Sequence, residues 1–464
     1  MAIERPTGTA IPNVARALVY SLGIEGRDLA RWLMAHGATV SVSDSRSEAQ
    51  LAAAGANAPD GVERVITGEL LNPTGYDLLA VSQSVLRTDP GVLRARELGV
   101  PVISQLGLAL RLCRGRLIGI SGSSGKSTTT AMVGAMAEAA GIDYVVGGNL
   151  GGSLLDRIEA VEPETAVILE ISHTQLQYTE RSPEIAAVTN VTPNHLDQFS
   201  WGDYVDLKRN LLRFQGPGDL AILNADDETS RTLREEVRGR LAEVSLEGPV
   251  AGDGAWLADG RIVSRWEGQS EAVLGADELR VRGRHNLENA VMAVAVAAAA
   301  GLPPHAIAAG ARSFRGLPHR LEVVGRANDA TWINDSIATS PERTIAALKA
   351  TAEPVLLLLG GREKALPLDA LRAAAAERCR AVICFGEAGA LFGEAMKGAA
   401  DTVRQVETLD EAVALAAELV RAGDIVLLSP AGTGFDAYPR FEARGEAFAA
   451  LVAGLDGFEA EVSS

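Results

Sequence analysis

Apolar runs of four to six residues alternate along this chain with stretches whose apolar positions recur every three or four residues. That pattern is the mark of buried parallel strands separated by amphipathic helices. Residues 17–21 read as a strand, 27–36 as a helix and 39–43 as a strand, which makes one βαβ unit. A second series starts with a strand at 116–121 and a helix at 128–140, and continues with buried strands at 166–171, 185–189 and 219–223. Residues 246–277 carry several glycines with Trp256 and Trp266 and predict short strands and turns on a subdomain, before an Ala-rich helix at 290–300. The third series places strands at 330–333, 355–359, 381–385 and 425–428 between helices at 341–348, 368–377 and 410–419. The class is therefore α/β with doubly wound sheets. Boundaries near 112 and 316 divide the chain into three domains, 1–112, 113–316 and 317–464, the first and last Rossmann-like.

Composition narrows the partners. A length of 464 residues exceeds what one core supports, and 47% hydrophobic with 22% charged residues excludes a disordered chain. A net charge of -17 opposes nonspecific binding to nucleic acid or an anionic membrane. Cys113, Cys379 and Cys384 have neither metal-ligand spacing nor the even count of a disulfide framework, as expected in a reducing compartment. The first 20 residues lack a signal-like apolar stretch, and no apolar run approaches the roughly 20 residues needed to span a bilayer. A soluble cytoplasmic monomer is the expectation.

Two glycine-rich turns carry candidate chemistry. Ser21-Leu-Gly-Ile-Glu-Gly26 resembles a shortened dinucleotide fingerprint, with Asp44 after the next strand where a ribose-binding acid would sit; a tight strand-to-helix turn needs the same glycines. Gly122-Ser-Ser-Gly-Lys-Ser-Thr128 lies between a predicted strand and a predicted helix, the setting of a phosphate-binding loop. Backbone N–H groups of the loop and the helix N-terminus would converge on phosphate oxygens there, with Gly122, Ser123, Ser124, Gly125 and Thr129 among the ATP-binding residues. Lys126 would neutralise charge, and Ser127 or Thr128 would offer a hydroxyl to Mg²⁺. Ile120 occupies the place of the first glycine of the longer loop, so the short form is present.

With these motifs stand Gly147-Gly-Asn-Leu-Gly151, Glu170-Ile-Ser172, Asn190-Val-Thr-Pro-Asn-His-Leu-Asp197, Asn224-Ala-Asp-Asp227, His285-Asn-Leu-Glu-Asn289, Leu317-Pro-His-Arg320 and Asn334-Asp-Ser336. In order and spacing, over nearly the whole chain, they resemble the Mur ligase family. Within it, Gly316-Leu-Pro-His-Arg-Leu-Glu-Val-Val324 and Leu428-Ser-Pro-Ala431 are most similar to the members that add D-glutamate to UDP-N-acetylmuramoyl-L-alanine. The resemblance implies ATP-dependent amide-bond formation through an acyl phosphate in peptidoglycan precursor synthesis, with ATP and two Mg²⁺ ions. Lys126, Glu170, His195 and Lys208 are then catalytic, with Ser127, Glu170, His195 and a carbamylated Lys208 around metal. Asn286 and Asn289 would hold adenine, Arg320 a phosphate and Asp335 the ribose. Gly23, Ile24, Glu25, Gly26, Asp44, Ser45, Arg46, Asn149, Ser172 and His195 would bind the UDP substrate. Thr339, Lys364 and Phe441 would bind glutamate.

The chain departs from the family pattern at Ser82-Gln-Ser84, at His173, at Ile337 in place of a lysine and at Gly434 in place of a serine. The last two remove a cation and a hydroxyl from the expected amino-acid pocket. L-Glutamate or another amine, another ligase of the Mur or folylpolyglutamate type, and a nucleotide-binding scaffold without catalysis are the alternatives. Retention of Lys126, Glu170, His195 and Lys208 opposes the scaffold.

Overall fold

The computed structural model describes residues 14–53, 56–69, 71–149, 154–194, 196, 198–281, 283–363 and 366–460. Their contacts form two compact units, one ending at residue 314 and the other running from 315, with 281–283 belonging to the second. Each unit is built from parallel-rich sheets covered by helices, the α/β class that the alternating pattern predicts.

The first unit holds two sheets. Strands β1 (Arg16–Tyr20), β2 (Thr39–Asp44), β3 (Arg64–Thr67), β4 (Leu78–Val81) and β5 (Val102–Ser104) form a parallel sheet in the order β3-β2-β1-β4-β5. The turn after β1 is tight. Ser21 has φ 92°, and a Cβ on Gly26 would lie 1.8 Å from the Ser21 carbonyl oxygen, so glycine is obligatory there.

The second sheet comprises β6 (Arg116–Ser121), β7 (Tyr144–Gly148), β8 (Ala166–Glu170), β9 (Ile185–Val188), β10 (Leu220–Asn224), β11 (Arg240–Ser245), β12 (Asp253–Ala258), β13 (Arg261–Trp266) and β14 (Gln269–Gly275). Their order is β14-β13-β12-β11-β10-β9-β6-β8-β7. Residues 246–277 thus correct an expectation. They do not form a subdomain; β12 pairs in parallel with β11, and β13 and β14 extend the same sheet antiparallel.

One apolar cluster runs from the first sheet into the second, including Leu29, Leu33, Leu106, Leu155, Ile158 and Leu176. Asp28 pins the junction, its carboxylate accepting hydrogen bonds from the Leu154 N–H at 3.0 Å, the Leu155 N–H at 3.2 Å and Gln105 Nε2 at 2.5 Å. Burying a carboxylate is costly unless it is hydrogen-bonded, and three donors converge on Oδ2 of Asp28.

The second unit carries β15 (Glu322–Ala327), β16 (Ala330–Asn334), β17 (Val355–Gly360), β18 (Cys379–Phe385), β19 (Thr402–Gln405), β20 (Ile425–Ala431) and β21 (Glu459–Ala460), ordered β19-β18-β17-β20-β16-β15-β21. Only β15 pairs antiparallel, with β16 and β21. Among the described residues, no helix is long and apolar enough to cross a membrane.

Candidate active site

In the second sheet β6 lies between β9 and β8, so three carboxyl ends come together. Ligands of open α/β sheets bind at such ends. The register sets Ile120 beside Glu170 and Ser121 beside Val188, which brings the glycine-rich loop, Glu170 and Thr189-Asn190 to one edge.

The loop owes its shape to its glycines. Gly122 has φ 147°, and a Cβ there would lie 2.0 Å from Thr189 Oγ1; Gly125 has φ 80°, and its Cβ would lie 2.1 Å from Asn289 Oδ1. Asn190 accepts from the Ser124 N–H through its side chain and from the Ser123 N–H through its carbonyl. The Thr189 hydroxyl donates to the Ser124 carbonyl at 2.6 Å. Gly125 caps the helix Lys126–Ala139, leaving the amides of that first turn for an anion. Lys126 Nζ donates to the carbonyls of Gly122 at 3.0 Å and Ser123 at 3.1 Å. Ser127 is half-buried at the start of the helix, while Thr128 and Thr129 are buried. The helix Arg284–Ala299 delivers Asn289 over Gly125, and Asn289 Nδ2 donates to Asn286 Oδ1 at 3.3 Å.

Beside the loop, Glu170 is 2% exposed. Its Oε1 accepts from Asn149 Nδ2 at 3.0 Å, whereas its buried Oε2 meets no hydrogen-bond donor among the described residues. Lys208, on the helix Trp201–Arg213, is fully buried; its Nζ donates to Ser121 Oγ at 3.1 Å and the Gly122 carbonyl at 2.8 Å. It also lies 5.5 Å from the centre of the Tyr204 ring. Burial, and then the charge of Lys126, hold the Lys208 amine well below the usual lysine range, against the pull of Glu170. Tyr204 reaches the loop as well, its hydroxyl 2.9 Å from Ser123 Oγ. His195 lies outside the described residues, and among those described no three of His, Cys, Asp and Glu gather to hold a metal. His173 packs against the rings of Phe199 and Tyr204, at 5.5 and 5.3 Å between centres.

The expected UDP-binding residues divide into two sets. Gly23 and the exposed Ile24 open the turn after β1, and Ser45 is exposed after β2. Asp44 shapes that turn from within: its Oδ2 accepts from the Leu22 N–H at 2.8 Å and from Arg46 at 2.7 Å, and its Oδ1 accepts from the Arg46 N–H and Nε. Burial raises its pKa, but the bonds from Arg46 and Leu22 outweigh burial and hold it at about 2. Glu25 spans to the second sheet, accepting from the Gln83 N–H at 2.7 Å and Gln175 Nε2 at 3.1 Å. Ser172 donates to Gln83 Oε1 at 2.8 Å. Gln175, Thr189 and Tyr204 belong to this constellation without any local sequence signal; Gln83 and Asn190 lie in the segments Ser82-Gln-Ser84 and Asn190–Asp197, which gave them no role.

In the second unit, Asn334 pairs in register with Leu428, which brings Asp335 to Ser429. Ser429 Oγ donates to Asp335 Oδ2 at 2.8 Å, and the Leu321 N–H donates to Oδ1 at 3.2 Å. Burial pushes the Asp335 carboxyl up to about 7 against these bonds and Arg320. Arg320 sits in a short turn between His319 and Leu321, both at positive φ. The half-buried Thr339 follows Ile337, whose N–H donates to the His319 carbonyl. Phe441 starts the helix Phe441–Ala453, and its carbonyl accepts from Ser336 Oγ at 2.8 Å. Arg444 is wholly buried, donating to Ser336 Oγ, the Ser336 carbonyl and the Gly432 carbonyl. Lys364 lies outside the described residues.

The family model of the Mur ligase middle domain matches residues 120–297, and that of the Mur ligase glutamate ligase domain matches residues 319–432. Two relatives align over almost their full lengths. The UDP-N-acetylmuramoylalanine–D-glutamate ligase of Symbiobacterium thermophilum is 40% identical over 446 residues, covering 95% of this chain and 98% of that protein. The ligase of the same name from Pelotomaculum thermopropionicum is 35% identical over 453 residues, covering 95% and 98%. Among solved structures, the UDP-N-acetylmuramate-alanine ligase of Thermotoga maritima shares the fold with a TM-score of 0.55 at 19% identity, over 94% of this chain and 99% of that one. MurF from Acinetobacter baumannii gives 0.58 at 17% identity, over 94% and 93%. The glycine-rich loop, the buried glutamate and the buried lysine at three adjoining strand ends thus come with near full-length similarity to such ligases, and the chain belongs to the Mur ligase family.

Proposed function

We propose that the protein is an ATP-dependent ligase of the MurD type, joining the amine of D-glutamate to the L-alanyl carboxylate of UDP-N-acetylmuramoyl-L-alanine in peptidoglycan precursor synthesis. The relatives carry that name at 35–40% identity over nearly the whole chain. The carrying observation in the molecule is Lys126, Glu170 and the buried Lys208 gathered around one phosphate-binding loop. Carboxylate oxygen attacks the γ-phosphorus, the bond to the β-bridging oxygen breaks and ADP leaves. The amine then adds to the acyl carbon, loses a proton and expels inorganic phosphate. Both steps crowd anionic oxygens, so fixed positive charge and oriented N–H groups provide the catalysis. Lys126 and the amides at the start of the helix Lys126–Ala139 fill that role.

The donor set fits Mg²⁺: a buried carboxylate oxygen of Glu170 lacks a donor, and hard oxygen ligands suit that ion. Ser127, Glu170, His195 and a carbamate on Lys208 would hold two such ions, which when bound screen the phosphate oxygens from one another. Lys208 suits the carbamate because its depressed pKa favours the neutral amine, the form that adds carbon dioxide. The carbamate would then put an anion with two hard oxygens in place of a buried neutral amine.

We assign UDP binding to residues 1–112, ATP binding to 113–316 and glutamate binding to 317–464, in a cytoplasmic monomer. Asn286 and Asn289 hold adenine, Arg320 a phosphate and Asp335 the ribose; Thr339, Lys364 and Phe441 hold glutamate. A second reading, L-glutamate or another amine, has its own support in the half-buried, apolar Ile337 and in Gly434. An ADP-release assay with UDP-N-acetylmuramoyl-L-alanine and a panel of amino acids tests both: release with D-glutamate supports the first, and release with L-glutamate alone the second.

A further inference from the structure

Gln83 follows β4 and is hydrogen-bonded through its backbone N–H and both ends of its side-chain amide. Its backbone N–H donates to Glu25 Oε2, its Oε1 accepts from Ser172 Oγ at 2.8 Å and Thr174 Oγ1 at 3.0 Å, and its Nε2 donates to Asn149 Oδ1 at 3.5 Å. A ring closes behind it. Gln175 Nε2 donates to Glu25 Oε1, the Gln175 N–H donates to Ser172 Oγ, and the Ser172 N–H donates to Gln175 Oε1 at 3.0 Å. Asn149 in turn grips Glu170 twice, its N–H on the Glu170 carbonyl at 2.9 Å and its Nδ2 on Oε1 at 3.0 Å.

We infer that Gln83 is a positioning residue for Glu170, and this rests on the assignment of Glu170 as a Mg²⁺ ligand. A carboxamide can present either its oxygen or its nitrogen to a neighbour. The Ser172 and Thr174 hydroxyls meet Oε1 of Gln83, which leaves its Nε2 to Asn149. Glu170 only accepts and so takes Nδ2 of Asn149, and the 3.5 Å contact from Gln83 Nε2 supports the same orientation through Oδ1. A flipped Asn149 would set its oxygen against a carboxylate, two acceptors without a proton between them. The Gln83 amide thus keeps Glu170 Oε1 bonded to protein and Oε2 buried and unbonded, the arrangement that leaves one oxygen for a cation. The same ring ties this control to Glu25 in the turn after β1. Partners that orient a metal ligand typically change metal affinity by about 10- to 100-fold when removed.

Mn²⁺ binding to the intact protein with ADP present, read by electron paramagnetic resonance of the free ion, tests the inference. Gln83→Met keeps the length and the backbone N–H but removes all three side-chain bonds; we expect affinity to fall about tenfold. In an Asn149→Ala background the same change should have no further effect. Thr174→Val removes one of the two orienting hydroxyls without touching Gln83 and should weaken binding about threefold, which keeps the test open should Gln83→Met not fold. Glu170→Gln separates the two layers. If it leaves Mn²⁺ binding intact, the metal assignment fails. If it weakens binding while Gln83→Met and Thr174→Val do not, or while Gln83→Met acts equally with and without Asn149, the positioning role of Gln83 is overturned.

Discussion

Gly125 and Gly141 flank one helix and permit a matched experiment. Both have positive φ, 80° and 67°. A Cβ at Gly141 would meet nothing within 4 Å, so Gly141→Ala isolates the conformational cost of a left-handed non-glycine residue, about 1–2 kcal/mol. Gly125→Ala carries that cost and adds a collision, because its Cβ falls 2.1 Å from Asn289 Oδ1. Asn289 is only 6% exposed and must leave its bond to Asn286, for roughly another 0.5–1.5 kcal/mol. The excess falls on the groups assigned to adenine and on the amides assigned to phosphate, so it should appear in nucleotide binding. Titration calorimetry with a non-hydrolysable ATP analogue should give near-native affinity for Gly141→Ala and a loss of roughly 2- to 13-fold for Gly125→Ala. Equal affinities in the two variants would refute the coupling of loop and Asn289.

Lys208→Ala should lower turnover by on the order of 10²- to 10³-fold, and added formate or acetate should restore part of it by occupying the place of the carbamate; unchanged turnover would remove that role. Asp335 titrates at about 7 in the folded protein against an ordinary value of 3.8, so the native state holds the extra proton between them. Stability of the second unit should therefore fall as pH rises from about 4 to about 7, and the difference between wild type and Asp335→Asn in urea midpoints should grow over that window. A constant difference would contradict the shift.

Strand ends and the phosphate loop were legible in the sequence because they are local. Residues 116–121 form an apolar run, and the following glycines and lysine carry their chemistry in their order. Alternation of strand and helix likewise exposed ten of the 21 strands among the described residues. What escaped depends on distant partners. Residues 253–275 have the pattern of isolated hairpins, and only the pairing of Ala242 with Asp253 shows that they extend the central sheet. The four-residue strand β19 is half-exposed at a sheet edge and has no apolar run to announce it. Gln83 and Gln175 are ordinary polar residues in sequence; their role arises from bonds to partners as far as 150 positions away. Asp44 was expected as a ribose acid, and its placement is again a matter of geometry, since both its oxygens brace Leu22 and Arg46.

ADP release with UDP-N-acetylmuramoyl-L-alanine across an amino-acid panel measures the proposed reaction itself. Release is expected to require both the UDP substrate and D-glutamate and to be lost in Glu170→Gln. Release independent of any amino acid, or none with D-glutamate in the presence of Mg²⁺, would contradict that reaction.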